Sequence, residues 1–256
     1  MFTQSAARLA AGLAVLAVLA VGAPAPADQV VTLLSHTDEI SIMGQKTPAQ
    51  DIRQEYWFGA EALRFDSGDT SVVIQPTAKK LYFANHADKS YSAMDLPLDF
   101  KQLVPPEMAP MREQMMGMMT ATVQVTPTDR TGKFGGYSCK YSTVDVSMAM
   151  MKLSMDTCTT EDLPIDYSRY RSLYLSQSEM LPNSGWMREM AEKLTGFPIR
   201  QDTTTTMMGK PVKSWQELQS VEERAAPAGF YGPPAGYREV EFNPMAQGQQ
   251  QRGRKR

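Results

Sequence analysis

The chain of 256 residues has only two histidines and two cysteines. Two histidines leave no room for a His-rich metal cluster. No Gly-x-Ser-x-Gly, His-Glu-x-x-His or Walker-type loop occurs, so the common hydrolytic and nucleotide-binding sites lack their residues. Gly132-Lys133-Phe134-Gly135-Gly136 is glycine-rich but has no helical pattern after it to cradle a phosphate. His36 near Asp38 and His86 near Asp88 read as surface or turn pairs, and the remaining carboxylates are scattered. No enzymatic activity is expected and no cofactor is implied. Long apolar runs are missing beyond the N-terminus, and a mean hydropathy of −0.35 excludes a polytopic membrane protein. Glycine and proline number 17 each, beside 42% hydrophobic and 21% charged residues, which excludes a collagen, a coiled-coil rod and a wholly disordered chain.

What is plentiful is methionine, at 19 residues, and apolar sequence at the extreme N-terminus. Leu9 to Val21 is a run of 13 Leu, Ala, Val and Gly residues behind Arg8. That is shorter than the roughly 20 residues a membrane-spanning helix needs. Residues 1–27 therefore read as a signal peptide. Pro26 would occupy the first mature position after a cut at Ala25, so cleavage is expected after Ala27. The mature protein then begins at Asp28 in the periplasm. Removal of Arg8 takes the net charge from −2 to −3, and the end Arg252-Gly253-Arg254-Lys255-Arg256 holds four of the remaining cations, leaving a body near −7. An acidic body argues against nucleic acid as a partner. The basic end suits a solvated terminus or peripheral contact with an anionic membrane, at about 1 kcal/mol per residue at most.

An exported chain meets an oxidising compartment, so Cys139 and Cys158 are expected to form a disulfide. Both lie in strand-like stretches, Tyr137–Val146 and Lys152–Thr160. A hairpin turning near Met148-Ala149 would pair positions that sum to 297 and set the two cysteines opposite each other. Their 18 intervening residues are unlike a redox Cys-x-x-Cys site.

Strand signals recur at Val30–Met43, Asp51–Phe58, Glu61–Asp66, Ser71–Gln75, Lys80–Ala84 and Lys89–Met94, separated by polar turns such as Ser67-Gly68-Asp69. They resume at Ala121–Thr126, continue through the cysteine hairpin, and end with Ile199–Met208 and Pro211–Glu222. Such a series implies an antiparallel sheet. A sheet of about ten strands tends to curl. Helices are expected at Leu103–Met119, Asp166–Gln177 and Ser184–Leu194. In the first, Pro105-Pro106-Glu107 suits a helix entry, and Met108, Met111, Met115 and Met118 share one face, widened by Met116 and Met119. This tract admits three readings: plain packing, a soft lid over an apolar ligand, or a Cu(I) site of thioethers at Met115, Met116, Met118 and Met119.

The order Tyr56-Trp57, Leu63-Arg64-Phe65-Asp66, Lys80-Leu81-Tyr82, Lys89-Ser90-Tyr91, a Met- and Pro-rich insertion, Gly135-Gly136-Tyr137-Ser138-Cys139-Lys140 and Gly196-Phe197-Pro198 resembles exported bacterial proteins of the domain of unknown function 4412. That family is similar to the periplasmic lipoprotein carriers LolA and LolB. The resemblance spans roughly Val30 to Glu223. It implies an unclosed antiparallel β-barrel with helices over an apolar cavity, and binding of a lipid or lipidated peptide. The family often has an aromatic residue where this chain has Cys158, so the disulfide rests on the cysteine arithmetic above and not on the family.

The expected protein is mainly β with inserted helices (α+β): a curved antiparallel sheet forming an open β-barrel or half-barrel covered by helices. Its parts are a signal peptide at 1–27, a LolA-like domain at 28–224 with a Met-rich helical insertion at 103–119, and a disordered Pro/Gly/Gln-rich basic tail at 225–256. It would be a monomer that holds a lipid or acyl chain. The expected ligand contacts are Met108, Met111, Met115, Met118, Met119, Trp57, Phe65, Tyr82, Trp186 and Met190. The competing classes are a Cu(I)-binding protein and an envelope scaffold with a protein partner.

Overall fold

The computed structural model describes residues 27–42, 45–96, 120–148, 151–168, 170–171, 175, 185–207 and 209–242. The expected signal peptide up to residue 26 and the whole insertion at 103–119 lie outside them.

Strands at Asp28–Thr37 (β1), Gln50–Phe58 (β4), Leu63–Ser67 (β5), Thr70–Gln75 (β6), Lys80–Asn85 (β7) and Ser90–Asp95 (β8) build one part of the sheet. The other part is Ala121–Phe134 (β9), Tyr137–Met148 (β10), Met151–Thr160 (β11), Phe197–Met207 (β12) and Lys210–Arg224 (β13). A two-residue strand, Arg238–Glu239 (β14), completes it, and Ile40–Ile42 (β2) with Gln45–Thr47 (β3) form a separate small hairpin. The twelve-stranded order is β14-β8-β7-β6-β5-β4-β1-β13-β12-β11-β10-β9. Both parts are antiparallel meanders, and β1 joins them by pairing β4 on one side and β13 on the other. The expected first strand, Val30–Met43, is thus two elements, because the chain leaves the sheet after Thr37.

The sheet is curved and unclosed, since its edge strands β14 and β9 do not pair. Curvature brings the β9–β10 turn onto β13. A Cβ at Gly135 would stand 2.8 Å from Leu218 Cδ2, and Gly135 has φ +57°, so glycine fits here for both space and conformation. Gly196 meets the same double demand, with φ +83° and a Cβ position 2.5 Å from the Thr160 carbonyl oxygen. These are the glycines of the two motifs singled out above.

Alternation along the strands separates two faces. Tyr56, Phe65, Val72, Phe83 and Ser92 stand in one cross-strand rung, and Trp57, Arg64, Val73, Tyr82 and Ala93 in the next. Neighbouring rungs point to opposite sides. On the first side, Ile74, Leu81 and Met94 form a buried cluster with Leu63, Val72 and Phe83. Further along the sheet, the rungs Val125–Val144–Met155 and Val123–Val146–Leu153 make an apolar strip. The helix Gly185–Lys193 (α1) lies on this strip through Trp186, Met190 and, just beyond its end, Leu194. Those residues are four apart and so share one helix face.

Among the described residues α1 is the one complete helix, so the expected cover of several helices reduces to this element. Tyr167, Ser168, Tyr170, Arg171 and Leu175 have helical backbone within the expected helix Asp166–Gln177.

Two further expectations are corrected. Cys139 and Cys158 are bonded, with Cα atoms 5.4 Å apart, but they are not directly opposite. Met148 pairs with Met151 and Tyr141 with Cys158, so facing positions sum to 299. The turn sits one residue later than expected, which slips the register by two and leaves the faces unchanged. Irregularities between Lys140 and Ser142 and between Cys158 and Thr159 bend the strands where the diagonal bridge forms.

The expected disordered tail does not begin at Ala225. Residues 225–242 form a strap that crosses the second face, pairs along the β8 edge and ends with Phe242 packed on Phe83 of the first face, 6.1 Å between ring centroids. Trp57 packs on Phe230 at 4.6 Å between ring centroids. Arg64 lies over the Phe230 ring and donates to its carbonyl at 2.8 Å. Gln75 donates to the Tyr231 carbonyl. β14 then adds in parallel to β8, with backbone bonds from Arg238 N to Lys89 O and from Val240 N to Tyr91 O. Proline and glycine shape the strap's turns, and a few aromatic anchors hold it. Composition alone hides those anchors.

Candidate ligand-binding cavity

Between α1 and the sheet lies a cavity of about 270 Å³. One wall is helical and apolar, made by Met190, Ala191 and Leu194. Tyr167, Tyr170 and Arg171 border it from the preceding segment, and Tyr56 closes it from β4. Tyr56 is held against Phe65 at 4.7 Å and edge-on to Phe197 at 5.8 Å. Tyr170 packs on Phe197 at 4.9 Å. The aromatic end is therefore anchored in the core around Phe58, Phe197 and Leu218.

The floor comes from the period-two pattern of β11 and its neighbours. Met155, Thr157 and Thr159 point to one side, and Thr157 faces Gln201, which in turn faces Gln216. Gln216 Nε2 donates to Gln201 Oε1 at 2.8 Å, and Gln201 Nε2 donates to Met155 Sδ at 2.7 Å. Thr157 is 3% exposed, and its Oγ1 has no hydrogen-bond partner among the described residues. A buried hydroxyl without a partner costs about 1–3 kcal/mol. Burial holds the Tyr167 phenol above its usual value, and the charge of Glu161 adds to this, against a Gly196 backbone hydrogen bond and the charge of Arg171. Tyr167 is thus a neutral hydroxyl at the cavity border. Arg171 is the cavity's one charged lining residue, and no carboxylate lines it among the described residues.

The expected contacts divide. Met190 lines the cavity. Trp186 packs on the apolar strip beside it, and Phe65 supports Tyr56 from behind. Trp57 and Tyr82 belong to the opposite face. Trp57 is covered by Phe230, has Arg224 over its ring and donates to Glu55 at 3.1 Å, and Tyr82 shares its rung. Aromatic character located a wall but could not say which side of the sheet bore it. Met108, Met111, Met115, Met116, Met118 and Met119 lie outside the described residues, and with them the Cu(I) site. No group of three or more His, Cys, Asp or Glu side chains placed to hold a metal occurs among the described residues. Thr157, Gln201, Gln216 and Arg171 were not expected. The alternation Met155-x-Thr157-x-Thr159 was the available signal, but it reads equally well as a solvated strand face.

Fold and cavity together define an open antiparallel-sheet protein with a small cavity roofed by a helix. The chain belongs to the family described as Domain of unknown function (DUF4412), whose model matches residues 40–237. No curated protein matches this sequence. Among solved structures, a domain titled as an outer membrane lipoprotein-sorting protein from Vibrio parahaemolyticus is similar at 6% identity and a TM-score of 0.27, covering 80% of this chain and 89% of that one. No described helix is long and apolar enough to cross a membrane.

Proposed function

We propose that this is an exported, non-enzymatic binding protein that holds the apolar part of a lipid or acyl compound between α1 and the sheet. The observation that carries this reading is the cavity wall of Met155, Met190, Ala191 and Leu194, set against aromatic rings at one end. Unbranched methionine adapts to flexible chains. A cavity of 150 Å³ accommodates benzene, so about 270 Å³ suits a ring or a short acyl segment. A signal peptide at 1–27 would carry the protein to the periplasm.

The test is native mass spectrometry of protein exported to the periplasm and purified without detergent. An adduct that denaturation releases, and that Met190→Glu abolishes while the circular dichroism spectrum is kept, is the expected result. A bare mature mass for the wild type, with no uptake of added methyl decanoate, would overturn the reading.

A further inference from the structure

From the cavity floor we infer that the ligand is a fatty carboxylate, whose head group accepts a hydrogen bond from Thr157 Oγ1 while Arg171 supplies the countercharge. This rests on the apolar-ligand reading above and goes beyond it by naming the head group and the residues that read it. Thr157 is buried and lines the cavity, and its hydroxyl has no hydrogen-bond partner among the described residues. Buried polar groups are otherwise almost always satisfied. The neighbouring amides of Gln201 and Gln216 are engaged with each other and with Met155. Thr157 therefore differs from the two glutamines beside it, and it is more deeply buried than Thr159 on the same floor.

A pure hydrocarbon would leave this hydroxyl unmet, whereas a carboxylate oxygen would accept from it. Among the described residues the lining holds one cation, the exposed Arg171, which has no ion-pair partner among them. A border that carries a cation and, among the described residues, no carboxylate favours an anion. Met155, Met190 and Leu194 would then take the alkyl chain. Thr157 reads the oxygen by contact, and Arg171 acts through its charge, so the two roles separate experimentally.

The test is isothermal titration of the full mature chain with sodium decanoate and with methyl decanoate, for the wild type, Thr157→Val, Thr157→Ser and Arg171→Gln. Thr157→Val keeps the shape and removes the donor, so decanoate affinity is expected to fall about tenfold, with Thr157→Ser restoring it. Arg171→Gln is expected to weaken decanoate by about threefold at low salt and to leave the ester unchanged. Equal decanoate binding by the wild type and Thr157→Val would overturn the head-group assignment while leaving the cavity reading intact. An ester bound as tightly as the acid, and weakened as much by Thr157→Val, would overturn the carboxylate class in favour of an ester-linked acyl group. Failure of the wild type to bind either compound would remove the cavity reading itself.

Discussion

Two hydroxyls are buried almost equally, on opposite faces of the same sheet. Ser71 is 1% exposed and Thr157 is 3% exposed. Ser71 Oγ donates to Asp66 Oδ1 at 2.5 Å, accepts from Arg64 at 2.8 Å, and lies 2.5 Å from His86 Nε2, whose other ring nitrogen reaches the Tyr237 hydroxyl at 2.8 Å. The network is complete and ends on the strap. Thr157 has no such company. The contrast separates a polar cluster that holds the chain to itself from a buried hydroxyl with no partner among the described residues. A Ser–His pair invites a catalytic reading, but Ser71 is buried beneath its own partners, and its role is to fasten residues 225–242 to the sheet.

The largest way to break the comparison is to remove the strap's main anchor. Trp57→Ala should cost about 3–5 kcal/mol, read as a lower urea midpoint, with the cavity face intact as judged by decanoate titration. Next is the staple of the other half. Replacing Cys139 and Cys158 together by alanine should cost about 3 kcal/mol in the loop-entropy model, measured by equilibrium unfolding. The sharpest comparison is between the hydroxyls themselves. Ser71→Ala removes one partner each from Arg64, Asp66 and His86 and should destabilise by about 1–3 kcal/mol, whereas Thr157→Val in the ligand-free protein should be neutral or stabilising by about 1 kcal/mol. Equal losses for the two would dissolve the distinction.

The smallest effects are in pH. Burial pushes the Glu55 carboxyl up, but the Arg53 hydrogen bond, the Arg224 charge and the Trp57 N–H together outweigh it and hold it below its ordinary value. Its contribution is present above the unfolded carboxylate value and is lost as pH falls through the lower folded one. Glu55→Gln should flatten that acid limb of the stability profile. His36 runs the opposite way. The Asp51 hydrogen bond, at 2.6 Å, raises its imidazole, burial opposes this, and the charges of Asp51 and Asp38 assist it. Its contribution is full below the unfolded imidazole value and disappears as pH rises through the higher folded one. An NMR titration of His36 should show the raised midpoint, and Asp51→Asn should lower it.

Much of the strand order was legible because turns such as Ser67-Gly68-Asp69 interrupt alternating runs, and both signals are local. Trp186, Met190 and Leu194 recur every four residues, so the apolar side of α1 is a local pattern of the same kind. Trp57 and Tyr82 were misplaced because alternation yields two faces without saying which one is roofed. The strap was misread because Pro227, Gly229, Pro233 and Pro234 resemble a linker, while Arg64 holds the Phe230 carbonyl across 166 positions of sequence. The cysteine register slipped by two because neither glycine nor asparagine marks the turn between Met148 and Met151.

By itself the sequence determined the alternation, the turns, the pairing of its only two cysteines and an acidic, Met-rich body with one apolar N-terminal run. Those properties depend on residues a few positions apart or on simple counts. Tertiary structure alone decided that α1 roofs the β9–β11 strip, that the strap crosses the other face, and that the buried Thr157 hydroxyl has no partner among the described residues. Burial and hydrogen-bond satisfaction depend on what the rest of the chain places around a residue. Ser71 and Thr157 are both small polar residues in strands, and only their distant neighbours make them different.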